Sequence, residues 1–115
     1  MEDVLEHILY PAGISNRYRG YPYFLMAVEL AAEDLSRLSN IQKEIYLPIA
    51  LHFHTNPINV ERDIRTIRDV IMRNGGPELL KELTGGCYRR SEQPYPTELI
   101  EIFARYYKKR RKVLA

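Results

Sequence analysis

The stretch from residue 57 to residue 74 constrains the fold of this chain most, because both of its ends carry strong helix signals. Asn56-Pro57 places a capping side chain before a proline that the first helical turn tolerates. Asn74-Gly75-Gly76-Pro77 is typical of a helix end. Four apolar side chains recur between these signals at helical spacing: Val60, Ile64, Ile67 and Ile71. We predict a helix with one apolar face on a core and its charged residues on the other face.

A short apolar segment and a polar break precede this helix. The segment begins at Leu47 and the break is His54-Thr55-Asn56. A proline in a helix interior costs about 3 kcal/mol, so Pro48 is expected either to start a new helix over Pro48–Phe53 or to kink a continuous one. Residues 47–76 are thus predicted to form a helix-turn-helix.

The remaining segments also favour helices. Apolar side chains recur at helical spacing in residues 2–10, 21–38, 41–46, 79–83 and from 97 onward. We expect Ser39-Asn40 to interrupt the helical run and cap the next helix, and Thr97 to cap the last helix. No segment alternates with the period of a strand. The predicted fold is all-α, a compact bundle of about six helices.

Length and composition are those of one globular domain over residues 1–115. The chain is 45% hydrophobic and 28% charged, which argues against disorder. No apolar run approaches the roughly 18 residues that span a membrane, and the acidic start does not resemble a signal peptide, so we expect a cytoplasmic protein without a membrane partner. Cys87 has no partner for an internal disulfide. The pair His52 and His54 lacks further ligands, and we expect no metal and no cofactor.

Positive charge is concentrated at the C-terminus. Six of the 17 basic residues lie in residues 105–115, and residues 1–104 carry 11 basic and 15 acidic residues, a net charge of −4. A nucleic-acid surface must therefore be local. The basic tail is either a phosphate-binding element or a solvated or partner-binding terminus. Arg17 and Arg19 are expected to lie in a solvated loop, with contact to phosphates as the alternative.

The charged face of the helix from Pro57 indicates DNA binding. A recognition helix needs an anchored apolar stripe and long side chains near its N-terminus that reach base edges in the major groove. Arginine matches guanine, glutamate accepts from cytosine and asparagine pairs with adenine. The predicted base-contacting residues are Asn59, Glu61, Arg62 and Arg65. The predicted phosphate-contacting residues are Thr55, Asn56, Arg68, Lys108, Lys109 and Arg110.

An exposed helix with ion pairs is the alternative interpretation of the same pattern. Glu61 and Arg65 are four residues apart, and Asp69 follows within reach of Arg65 or Arg68. Such pairs stabilise a helix by a few tenths of a kcal/mol (about 0.2–0.5). The pattern alone leaves the two interpretations evenly matched.

Residues of the predicted helix-turn-helix are similar in type and order to those of one known family: Ile49-Ala50, Phe53, Thr55, Val60-Glu61-Arg62 and Ile64-Arg65. Further matches follow with almost no gaps: Pro11-Ala12, Gly20-Tyr21, Ile41-Gln42-Lys43 into Tyr46, and Thr97-Glu98-Leu99-Ile100. Over most of its length the chain resembles the C-terminal DNA-binding domain of the response regulator that initiates sporulation in endospore-forming bacteria.

The resemblance implies an all-helical effector domain that inserts its arginine-bearing helix into the major groove of a promoter box. It also implies DNA contacts for Glu61, Arg62 and Arg65. The family usually has arginine at the position of Asn59, so the preferred box or the affinity is expected to differ. The family's proline stands one residue before Pro48, which leaves the start of that helix open.

The family's regulator carries an N-terminal receiver domain, and this sequence starts only a few residues before the matching region. We interpret the chain as either a freestanding effector or an excised domain. A freestanding effector would not be switched by aspartyl phosphorylation.

The sequence thus favours a non-enzymatic, sequence-specific transcription regulator that binds double-stranded DNA at promoter boxes. Each copy has few base-reading residues, so two copies are expected on repeated boxes, with RNA polymerase as a further partner. The competing hypothesis is a protein-interaction module that modulates the full-length sporulation regulator or RNA polymerase without binding DNA. No nucleophile, base and oxyanion donor combine, which argues against an enzyme.

Overall fold

The computed structural model describes residues 2–88 and 93–114. In order, these residues form α1 (Glu2–Leu9), α2 (Gly20–Glu33), a 3₁₀-helix (Leu35–Asn40), a π-helix (Gln42–Tyr46), α3 (Leu47–His52), α4 (Pro57–Arg73), α5 (Gly76–Leu83) and α6 (Pro96–Leu114). No strand occurs in these two described ranges. The predicted all-α bundle of about six helices is confirmed.

Helix α2 lies at the centre of the bundle. It packs most extensively against α6 and α4. Phe24 of α2 and Phe103 of α6 are fully buried, and their rings meet edge to face with centroids 5.1 Å apart. The alanines Ala27 and Ala31 are also fully buried, which lets neighbouring helices approach closely. Helices α4 and α6 are therefore positioned by their packing against α2.

The crossing of α2 and α4 is a contact between backbones. A Cβ atom placed on Gly20 would lie 2.3 Å from the carbonyl oxygen of Asp63 and 3.0 Å from a side-chain carbon of Ile67. Real Cβ atoms do not approach a backbone oxygen this closely, so the crossing admits only glycine. Gly20 thus sets the distance between α2 and the middle of α4.

Both predicted ends of α4 are confirmed. The Asn56 side chain accepts a hydrogen bond from the backbone N–H of Asn59 at 2.9 Å and caps the helix. Gly75, which follows the C-cap residue Asn74, has a left-handed backbone (φ +83°) that glycine adopts without strain. The predicted apolar stripe is fully buried: Val60, Ile64, Ile67 and Ile71.

Helix α2 ends at Glu33, five residues before the predicted end at Leu38. Asp34 has an extended backbone, and its carboxylate accepts hydrogen bonds from the backbone N–H (3.0 Å) and hydroxyl (2.7 Å) of Ser36. These hydrogen bonds hold the pKa of Asp34 below its ordinary value. The Asp34 side chain thus starts a separate 3₁₀-helix, which apolar periodicity alone does not reveal.

The predicted break at Ser39-Asn40 is wrong, because the chain stays helical through Ile41 (φ −61°, ψ −35°) into the π-helix. The π-helix leads directly into α3, and Pro48 lies in the first turn of α3. Proline has no N–H for the carbonyl four residues before it. That carbonyl, of Glu44, accepts a hydrogen bond from Arg37 Nη1 at 3.4 Å. Pro48 therefore lies in a nearly continuous helical segment whose geometry changes just before it.

Helix α6 begins at Pro96, and the predicted cap at Thr97 is wrong. The Glu98 carboxylate accepts a hydrogen bond from the backbone N–H of Tyr95 at 3.2 Å. This is the glutamate half of a capping box, in which the side chain of the third helical residue reaches back to the residue before the helix. The preference for proline in the first helical turn is satisfied by the same start.

We expect Gly20→Ala to lower the free energy of unfolding by about 1–3 kcal/mol, the usual cost of overpacking. At an open helix position the same change would raise it by about 0.5–1 kcal/mol, so the sign of the effect is informative. Urea denaturation followed by circular dichroism measures it. The control is Glu29→Ala, at an exposed position of α2. A Gly20→Ala protein as stable as the parent would contradict the backbone contact.

Candidate nucleic-acid interface

A four-residue turn, residues 53–56, joins α3 to α4. His54 has a left-handed backbone (φ +56°), and the N–H of Thr55 donates to the carbonyl of Ala50 at 2.9 Å. This is a common way to end a helix. The Phe53 ring lies edge to face against Tyr23 of α2, with centroids 5.1 Å apart. The turn is thus fixed to the bundle at its start.

The outward face of α4 carries the two arginines predicted to read bases. Residues of a helix are 100° apart around its axis, so positions 58, 62 and 65 share one face, opposite the buried stripe. The Arg62 and Arg65 side chains are 55% and 49% exposed. The structure therefore brings Arg62 and Arg65 together on an accessible surface.

Glu61 lies at one edge of this face and is held from two sides. Its Oε2 atom accepts a hydrogen bond from Gln42 Nε2 of the π-helix at 2.9 Å. Its Oε1 atom pairs with Arg65 Nη2. The position of the carboxylate is thus fixed by a residue for which the sequence predicts no functional role, because Gln42 is 19 residues away and no local pattern connects the two.

Asn59 lies at the other edge and is half-buried. Its Nδ2 atom donates a hydrogen bond to Thr55 Oγ1 at 3.1 Å. A predicted base contact and a predicted phosphate contact are therefore bonded to each other. Together with the Asn56 cap, this bond fastens the N-terminal end of α4 to the turn.

Arg68 lies apart from the outward face. Its side chain is only 15% exposed. It donates hydrogen bonds to Asp69 Oδ1 at 3.0 Å and, through Nη1, to the carbonyl of Pro94 at 3.3 Å. Arg68 thus ties α4 to the segment that leads into α6.

Carboxylates accompany three of the four arginines of α4. Arg62 pairs with Asp63 at 3.4 Å, and the other two pairs are Glu61–Arg65 and Arg68–Asp69. The ion pairs of the alternative interpretation are therefore present. Exposed pairs contribute at most about 1 kcal/mol, so the arginines can exchange them for other acceptors. With four arginines and three acids, α4 has a net charge of only +1.

A further exposed arginine lies beside Arg62. Tyr18 and Arg19 of the loop before α2 line a cleft with Arg62 and Thr66. The sequence pattern favours a solvated loop for Arg19, and no local signal places that loop against α4. Its position follows from the crossing at Gly20, the next residue.

The basic tail lies at the other end of α2. Lys108 is close enough to Asp34 to lower the pKa of that carboxyl, and Arg105 pairs with Glu101 at 2.9 Å. Helix α2 has 14 residues, so its two ends are about 20 Å apart. Lys108, Lys109 and Arg110 therefore lie on a different part of the molecule from the Gly20 crossing. The side chains of residues 111–115 lie outside the described residues.

The comparison with known families agrees with this architecture. The family described as "Sporulation initiation factor Spo0A C terminal" matches residues 5–107. The chain belongs to this family. The match includes all of α2 to α5 and the buried part of α6, so it covers the whole helix-turn-helix region. The members of this family are DNA-binding domains of sporulation transcription regulators, and the family is not an enzyme family.

Among the described residues of this Spo0A-type domain, Cys87 and the possible metal ligands form no second site. Cys87 is exposed, and the nearby Arg89 and Arg90 lie outside the described residues. Among the residues that the structure describes, no three His, Cys, Asp or Glu side chains are grouped to hold a metal ion. None of the described helices combines the length and apolar character needed to cross a membrane.

Tyr46 lies under the edge of the interface and is 2% exposed. Burial raises the pKa of its hydroxyl to about 12, the negative charge of Glu61 adds to the effect, and the positive charge of Arg65 opposes it. The folded protein therefore disfavours the phenolate form. Because the folded state holds this proton more tightly than the unfolded state, stability is lost as pH rises above the ordinary tyrosine pKa of about 10.

Between pH values of about 10 and 12, we expect the free energy of unfolding of the parent to fall by up to about 2 kcal/mol more than that of Tyr46→Phe. Urea denaturation of both proteins across this pH range gives their free energies of unfolding. In the difference between the two values, the contributions of the other titrating groups cancel. Tyr10→Phe is the control, because Tyr10 is 76% exposed. A difference in the free energy of unfolding between parent and Tyr46→Phe that does not change with pH would contradict a raised pKa of Tyr46.

Proposed function

We propose that this domain regulates transcription by inserting α4 into the major groove of a promoter box. In this proposal Asn59, Glu61, Arg62 and Arg65 contact base edges. Family membership supports DNA as the partner. The geometry supports α4 as the reading element, because its apolar stripe is buried and its arginines are exposed near its N-terminal half.

The observation that carries the proposal is the Glu61 carboxylate, which is held beside the exposed Arg65 at one edge of the outward face. A surface that only bound phosphates would gain nothing from a carboxylate at this place, since a carboxylate and a phosphate repel each other. Glutamate accepts a hydrogen bond from cytosine N4, and arginine donates two to guanine O6 and N7. The bond from Gln42 holds Glu61 in place even when Arg65 turns toward a base. This arrangement favours base reading over non-specific attraction.

The phosphate contacts are proposed to come from three places. Thr55 and Asn56 lie at the N-terminal end of α4, where backbone N–H groups attract phosphate oxygens. Arg68 requires exchange of its bond to Pro94 before it reaches a phosphate. Lys108, Lys109 and Arg110 supply positive charge from the tail. Exposed Arg19, beside Arg62, is a further candidate.

Two copies on repeated boxes are part of the proposal. One α4 presents four base-reading side chains, and specific protein–DNA binding must exceed non-specific binding by about 10³–10⁷. Because each good bidentate contact supplies about 1–3 kcal/mol, a second copy makes this ratio easier to reach. RNA polymerase at the same promoter is a further partner in this proposal.

The test is a titration of the protein into duplexes with and without a sporulation-type box, at two salt concentrations. We expect Arg62→Ala and Arg65→Ala each to weaken binding to the box about 5- to 150-fold, the equivalent of one bidentate base contact. Binding to the unrelated duplex should change far less. The matched control is Arg73→Ala, an exposed arginine in the last turn of the same helix.

Equal affinity of the parent for both duplexes would contradict the proposal. Retained binding to the full-length regulator or to RNA polymerase would then favour the protein-interaction module. If Arg73→Ala removed box preference as strongly as Arg62→Ala, the reading residues would not be confined to the N-terminal half of α4.

The tail is tested separately. We expect Lys108→Ala, Lys109→Ala and Arg110→Ala in one protein to weaken binding to every duplex alike. The slope of log K against log salt should become shallower by about 0.9 for each phosphate that the variant no longer neutralises. Lys81→Ala, at an exposed lysine of α5, is the control. A loss confined to the box duplex would contradict a phosphate role.

A further inference from the structure

The most exposed large apolar side chain of α4 is Ile58, in its first turn. It is 78% exposed, whereas Ile64, Ile67 and Ile71 of the same helix are fully buried. Single exposed apolar residues are common on protein surfaces and need no explanation by themselves. The position of Ile58, rather than its exposure, suggests a role.

Ile58 lies in the same strip of the helix as the exposed arginines. Arg62 is four residues and Arg65 seven residues further along, so all three side chains leave α4 opposite the buried stripe. Of the three, Ile58 is nearest to the N-terminal end, which is the part of a recognition helix that penetrates a groove most deeply. Any duplex contacted by Arg62 and Arg65 is therefore presented with Ile58 as well.

The backbone around Ile58 is held in place. The Asn56 side chain accepts from the N–H of Asn59 at 2.9 Å, and Asn59 Nδ2 donates to Thr55 Oγ1 at 3.1 Å. The ring of Pro57 fixes the backbone angle φ of the residue directly before Ile58. The outward direction of the Ile58 side chain is thus determined before any ligand binds.

We propose that Ile58 is a specificity-determining residue that packs against the C5-methyl group of a thymine in the major groove. This inference rests on the proposed function of α4. The thymine methyl is the one apolar group that a base pair presents in that groove, and apolar side chains are its usual partners. Phosphates and the polar edges of bases offer no apolar surface against which Ile58 could be buried on binding.

The helix geometry also limits how far this thymine can lie from the base read through Arg62. Ile58 and Arg62 are about 6 Å apart along the helix axis, which corresponds to about two base-pair steps of 3.4 Å. The thymine is therefore expected within about three base pairs of the base read through Arg62.

The experiment first selects preferred duplexes from a random pool with the parent protein. Each thymine of the selected duplex is then replaced singly by deoxyuridine, which lacks only the C5-methyl group. Affinities are measured for the parent, Ile58→Ala, Ile58→Val and Leu51→Ala. Leu51 of α3 is the matched control, because it is also an apolar side chain and is 69% exposed.

At one thymine near the Arg62 contact, we expect deoxyuridine to weaken parent binding about fourfold, on the order of one buried methyl group. Ile58→Ala should bind both duplexes alike, with the affinity of the parent for the deoxyuridine duplex. Ile58→Val should retain part of the difference, and Leu51→Ala all of it. Because Ile58 is exposed, the thermal midpoints of the variants should match that of the parent.

Three outcomes would overturn the inference. In the first, every deoxyuridine substitution affects parent and Ile58→Ala equally. In the second, Ile58→Ala weakens binding to all duplexes alike. In the third, the selected site holds no thymine within reach of the Arg62 contact. If box preference is nevertheless lost in Arg62→Ala, the proposed function stands and only the role of Ile58 is rejected. If the parent selects no preferred duplex, both proposals fail together.

Discussion

The contact between the backbones of α2 and α4 determines how this domain presents its charged surface. Only the hydrogen atoms of Gly20 separate α2 from the Asp63 carbonyl, so the two helices cannot approach further, and a side chain at this point would push them apart. The outward direction of Arg62 and Arg65 follows from this crossing together with the buried stripe of α4. The α2–α6 contact through Phe24 and Phe103 also holds α2 within the bundle.

The surface that results is only weakly positive. Acids pair with three of the four arginines of α4, and the most basic segment lies near the far end of α2. Long-range attraction depends on the summed field, whereas discrimination depends on individual donors and acceptors at close range. An interface of this composition gains little from general attraction to polyanions. Its selectivity has to come from the placement of a few side chains, which is why Gln42 and the fastened turn matter.

Local signals predicted much of the fold, and tertiary contacts account for the features that they missed. Asn56-Pro57 and Gly75 act on backbone groups no more than one helical turn away, so the sequence predicts the bounds of α4 correctly. The end of α2 depends on the Asp34–Ser36 bonds, which compete with an apolar pattern that continues to Leu38. The hydrogen bond between Gln42 and Glu61 and the position of Arg19 require the folded bundle, so a single sequence does not reveal them. The sequence pattern does not single out Ile58, because an apolar residue on the charged face departs from the pattern that defines that face.

The double restraint on Glu61 also bears on how a domain of this kind would move along DNA. A carboxylate held by Gln42 and Arg65 would come close to phosphate oxygens whenever the helix lay slightly out of register with the groove. Each such misalignment is penalised by repulsion, and the penalty is relieved where a cytosine amino group meets the carboxylate. Under the proposed function, Glu61 would therefore shorten the time spent at wrong positions, so that sites are distinguished by rapid departure as well as by tight binding.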